Sequence, residues 1–103
     1  TYDWVWAERE TSCTATCESV GKVCAAAGFR EDGKQQLCAM RTVAKCSSFG
    51  AEDGRDLPAV TMKGSCLVPV FGSDLSNCDH THRDTRRVCP CYKPERFNVE
   101  YEL

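Results

Sequence analysis

Along the chain, apolar and polar residues alternate first with period two. Tyr2, Trp4 and Trp6 fall on one side and Asp3, Val5 and Ala7 on the other, which predicts a strand over 2–7. The two indoles are expected to pack in the core rather than to form a ligand platform. The period then changes. Cys13, Cys17, Val20 and Cys24 recur at spacings of four, three and four, so they can share one helical stripe, with Ser12 as N-cap and Gly21 able to take the left-handed geometry that closes a helix. After Glu31 and Asp32, a second helical pattern over 33–45 places Leu37, Met40, Val43 and Ala44 on one side, and leaves Lys34, Gln35, Arg41 and Lys45 to water.

From Ser47 to Asp56 nothing apolar repeats, and the pair Asp53-Gly54 favours a turn, so a surface loop is predicted there. Val60, Met62, Cys66 and Val68, bracketed by Pro58 and Pro69, fit short strands broken at Gly64. Residues 72–87 read as loop, and Pro90 between Cys89 and Cys91 keeps that triplet extended, with its two cysteines serving separate bridges. The tail 97–103 alternates Phe97, Val99, Tyr101 and Leu103 against polar residues, a strand pattern that would pair with the opening strand and bring the ends of the chain together, or remain an edge that captures a partner strand.

These elements amount to a small disulfide-rich α+β module spanning 1–103, with two short helices, a small antiparallel sheet and four disulfides. The cysteine content changes the picture most. Nine cysteines in 103 residues lie in the range of a disulfide scaffold, which persists in oxidising compartments, so a secreted, extracellular or lumenal location is expected. Eight cysteines close four bridges and one is left over, and spacing alone does not select the pairing. With 13 basic and 15 acidic residues the chain has no broad cationic field, which argues against nucleic acid as a partner. Membrane insertion is not expected either, because no apolar run reaches the roughly 20 residues needed to span a bilayer.

The cysteine pattern resembles a known one. Ser12-Cys13 followed by Cys17 and Cys24, then Cys46, Pro58, Cys66, Cys78 and the closing Arg87-Val88-Cys89-Pro90-Cys91, is similar to the cysteine-rich C-terminal region of N-acetylglucosaminyltransferase V and its relatives, over about residues 4–92. The spacing of the first three cysteines and the stretch from Cys78 to Cys91 carry the resemblance; the middle spacings match approximately. It implies that Cys13, Cys17, Cys24, Cys46, Cys66, Cys78, Cys89 and Cys91 form a closed framework. It also implies a noncatalytic role, since catalysis in those transferases belongs to a larger preceding domain that this chain is too short to contain. Cys38 has no counterpart in the pattern and is left as a buried thiol, a link to another chain, or a half-cystine whose partner lies elsewhere in a larger protein.

Metal-ligand residue types cluster once, in Asp79-His80-Thr81-His82-Arg83-Asp84, where His80, His82 and Asp84 would share one side of an extended segment. Without a second shell to orient the imidazoles this reads as a solvated loop, so neither a metal nor a cofactor is expected. A nucleophile at Cys38 paired with His80 or His82 lacks any flanking signature. Arg83, Arg86 and Arg87, with Lys93 and Arg96, could bind an anionic glycan or an acidic protein face; the bland reading is a solvated basic edge. The expected function is protein association or ligand binding within a larger secreted or surface protein, through the loop 47–57 and the segment 80–87, with a protein or glycoprotein as partner. The alternatives are an accessory domain of a glycosyltransferase and a small secreted toxin or inhibitor.

Overall fold

The computed structural model describes residues 2–94. The strand expected at 97–103, with Arg96 and the pairing of the two chain ends, lies outside the described residues. In chain order the elements are β1 (Asp3–Trp6), α1 (Cys13–Ser19), β2 (Val23–Cys24), a 3-10 turn (Ala26–Arg30), α2 (Gly33–Val43), β3 (Ser48–Glu52), β4 (Ala59–Thr61), β5 (Ser65–Pro69) and β6 (Thr85–Tyr92). The α+β class, the two helices and the four disulfides are as expected.

The sheet runs in the order β1-β6-β4-β5-β3. Cys91 pairs with Asp3 of β1 and also with Cys24 of β2, so β2 lies on the edge of β6 opposite β1, the edge that β4 uses at residues 85–87. All pairs are antiparallel except β3 with β5. That exception follows from the path. The chain leaves β3 for β4, two positions away, and the β4–β5 hairpin then fills the gap, which returns β5 in the direction of β3. At the hairpin Gly64 has φ +91, and a Cβ there would stand 2.8 Å from Ser47 Oγ, so only glycine fits without strain.

Both helices begin as the pattern indicates. Ser12 Oγ accepts a bond from Ala15 N–H at 3.0 Å, and Asp32 Oδ1 accepts one from Lys34 N–H at 2.8 Å. The first helix is shorter than its stripe: it stops at Ser19, Gly21 turns at φ +76, and Cys24 is carried by β2. Val20, assigned to the stripe, is therefore exposed.

Two other expectations are corrected. The loop predicted over 47–56 contains β3, whose outer-edge position leaves four of its five residues exposed and removes the apolar alternation that marks a half-buried strand. The loop predicted to reach residue 87 ends at Thr85, where β6 begins with buried polar residues, Thr85 and Arg87, that hydrophobic periodicity does not register.

Strand alternation sorts β6 onto two faces. Cys89 and Cys91 point to α1 and join a core of Ala7, Cys13, Cys17 and Phe29. Val88 points the other way, into a core of Met40, Val60, Cys66 and Val68 against which Trp4 and Trp6 pack half-buried. Both indoles thus pack against this core, while Trp6 also reaches the wall of a surface groove.

Candidate functional site

The disulfides decide where the candidate residues stand. Cys13 bonds Cys89 and Cys17 bonds Cys91. Four helical residues rise about 6 Å and two strand residues advance about 6.6 Å, so one helical turn of cysteines matches alternate cysteines of a strand lying alongside. The same logic explains Cys89-Pro90-Cys91: a one-residue gap puts both thiols on one face, and Pro90 fills the other. Cys24 bonds Cys78, and Cys46 bonds Cys66. Cys38 stands free and exposed on α2. The buried-thiol reading is thereby corrected, because residue 38 lies on the side of α2 away from Met40 and the sheet.

The segment that carries His80, His82, Arg83, Arg86 and Arg87 runs between Cys78 and Cys89 and is held by a disulfide at each end. Its interior is ordered by its own polar groups. Asn77 Oδ1 accepts from the backbone N–H groups of Asp79 and His80, and His82 Nδ1 accepts from Asp84 N–H at 3.1 Å. Thr14 donates to Asp79 Oδ1 at 2.6 Å and so ties the segment to α1.

The three arginines do not form one patch. Arg87, expected on a basic binding edge, is 1% exposed. It faces inward because it shares a side of β6 with Thr85 and Cys89. Its Nε donates to the Asp56 carbonyl at 3.2 Å and its Nη1 to the His80 carbonyl at 2.7 Å, while the guanidinium lies 5.2 Å from the Phe29 ring. Burial lowers its pKa to about 10, opposed by the nearby Asp56 and Asp79 carboxylates, and it stays charged at neutral pH. Arg87 is a structural strut between the 52–57 loop and the 80–84 loop. Thr85 reinforces it by donating to Asp56 Oδ2 at 2.6 Å.

Arg86 projects from the opposite face. Its Nε donates to the Ala7 carbonyl at 2.8 Å, and its guanidinium stacks 3.8 Å over the Trp6 ring. Arg83 is exposed in the loop, where its carbonyl accepts from Arg9 Nη2 at 2.9 Å.

Two grooves therefore flank the start of β6. The larger, about 690 Å³, contains His80, His82, Asp56, Leu57 and Thr85, and mixes the carboxylates of Glu52, Asp53, Asp56 and Asp84 with Arg55 and Lys63. Cys38 takes no part in it, so the thiol and the imidazoles are not brought together. Among the described residues no group of three or more His, Cys, Asp or Glu side chains is placed to hold a metal ion. The smaller groove, about 310 Å³, lies on the Arg86 face with Trp6, Arg9, Lys45 and Met62 in its walls. Sequence reading missed Arg9 and Lys45. Arg9 sits between Glu8 and Glu10 and looks neutralised, and Lys45 looks like one more solvated helix-end charge.

Among the described residues no helix is long and apolar enough to cross a membrane. The chain matches no protein-family model and no curated protein.

Proposed function

We propose that this chain is a noncatalytic binding module of the extracellular space or secretory lumen, which associates with a protein or glycoprotein as part of a larger secreted or surface protein. The observation that carries this reading is the anchoring of residues 79–88 between Cys78 and Cys89, each bridged to a separate element. A recognition segment held in place before contact loses little conformational entropy on binding. The walls of both grooves draw on that segment and on β6, so their shapes are set by the same cross-links.

The test is binding of the oxidised chain, beside a reduced and alkylated sample, to an arrayed panel of secreted glycoproteins and free glycans. Saturable binding by the oxidised form, lost on reduction, is expected. Equal binding by both forms, or by neither, removes the reading, as does turnover of a substrate.

A second reading rests on the resemblance to the N-acetylglucosaminyltransferase V C-terminal region: an accessory domain that positions a glycosyltransferase or its acceptor. The complete transcript separates the two. An upstream nucleotide-sugar domain supports the accessory role, whereas tandem copies of this module or a membrane anchor support association.

A further inference from the structure

We propose that the smaller groove binds an acidic sugar, a saccharide unit bearing a sulfate or a carboxylate. The inference rests on the binding-module reading and names the ligand class of one of its grooves. Three cations, Arg9, Lys45 and Arg86, line this groove, and among the described residues no carboxylate does. Among those residues the one side-chain ion pair joins Lys22 to Asp3, so none of the three has an acidic ion-pair partner there. In a chain of net charge -2 this is a local concentration of positive charge, against the overall balance.

The guanidinium groups are also positioned in advance. Arg86 is fixed by the Ala7 carbonyl and the Trp6 ring, and Arg9 by the Arg83 carbonyl. Each spends one N–H on the protein and keeps others for a ligand, which suits paired hydrogen bonds to the oxygens of a sulfate or carboxylate. Lys45 adds an exposed ammonium from beyond the end of α2.

The rest of the groove selects among anions. Trp6, Val60 and Met62 supply apolar wall, and Met62 is 65% exposed with nothing covering it. An inorganic ion gains nothing from that surface, whereas the C–H face of a sugar ring packs on it. A volume of about 310 Å³ is at the small end of ligand sites, enough for one or two sugar units. An acidic peptide strand would need a longer cationic track than these three side chains provide, and Arg55 and Lys63 lie in the larger groove among four carboxylates.

The experiment is titration calorimetry of the full, oxidised chain with a sulfated disaccharide, a uronate disaccharide, a neutral disaccharide, inorganic sulfate and an acidic hexapeptide. One acidic disaccharide is expected to bind at least tenfold more tightly than the neutral sugar, the inorganic ion or the peptide, and the two acidic arms identify the charged group. Arg9→Glu and Lys45→Glu, both at exposed positions, should each weaken that binding roughly tenfold or more and flatten its salt dependence, with the unfolding midpoint unchanged. Ligand should perturb tryptophan fluorescence through Trp6. Equal affinity for the neutral sugar, preference for the peptide, no saccharide binding, or an unchanged affinity in both variants overturns the assignment. A chain that binds a protein on the panel but no acidic sugar overturns this inference alone; a chain that binds nothing overturns the module reading as well.

Discussion

On the face of β6 that α1 covers, the interior consists of Phe29, Ala7 and four half-cystines, Cys13, Cys17, Cys89 and Cys91. On the opposite face, which α2 covers, it consists of Met40, Val60, Val68 and Val88 with one fully buried half-cystine, Cys66. The difference tracks the length of the local elements. Helix α1 has seven residues and β2 has two, too few to hold themselves in place by apolar contact. Helix α2 has eleven residues and lays Met40 onto the sheet, flanked by half-buried Leu37 and Val43. Cross-links therefore replace aliphatic volume where the secondary structure is shortest, and that is also where residues 79–88 are anchored.

The largest effect should come from removing the cross-links of the α1 face. Cys13–Cys89 and Cys17–Cys91 span sequence separations of 76 and 74, and each is expected to contribute roughly 4–5 kcal/mol through the unfolded chain. Replacing all four cysteines by Ala should abolish the cooperative transition in a urea titration. Cys46–Cys66 spans 20 residues and is expected to contribute about 3 kcal/mol, so the corresponding double-Ala variant should stay folded with a lower midpoint. A folded chain lacking both of the longer bridges would erase the contrast between the two faces.

Next in size is Met40→Ala, expected to cost about 3 kcal/mol because the side chain is fully buried. Hydrogen exchange should show the loss of protection concentrated in β4 and β5, with the amides of β6 beside the disulfides less affected. Uniform loss over both faces would mean that the two cores unfold as one unit.

Arg87→Ala should cost about 2–3 kcal/mol, since it strips the Asp56 and His80 carbonyls of a charged donor and leaves a hole. The pH dependence has a definite sign. With the folded pKa lowered to about 10, below the ordinary arginine value, the unfolded chain holds this proton more tightly, so the Arg87 contribution makes stability rise with pH above about 10 and adds no slope from pH 5 to 8. Wild type and variant should therefore show parallel stability profiles over pH 5–8, and a divergence there would contradict the buried, permanently charged strut.

The smallest effect compares the two caps. Asp32→Ala should cost about 1 kcal/mol at α2, whereas Ser12→Ala should cost less, because two disulfides hold α1 whether or not its first turn is capped. Equal losses in urea titrations would show that α1 depends on its own hydrogen bonds.

Much of this arrangement is legible before folding. Ser12 and Asp32 start helices, Gly64 breaks the β4–β5 hairpin, and the alternation around Trp4 and Trp6 marks a strand, because these are choices a few neighbouring residues make through hydrogen bonding, backbone sterics and side-chain direction. Other features were misread for equally physical reasons. The edge position of β3 hides a strand that has water on both sides, and a buried arginine held by carbonyls from loops 31 and 7 residues away looks the same in sequence as a solvated one.

The number of bridges, the helix starts and the oxidising character of the chain were set by residue identity and spacing, since each depends on local chemistry or on counting. Which cysteines join, which of three neighbouring arginines is buried, and how Arg9, Lys45 and Arg86 come to share one groove were set by the packing of the helices and strands on β6. Strand alternation sends Arg86 and Arg87 to opposite faces, but whether each face meets water or protein depends on segments far away in the chain, and local sequence does not encode that.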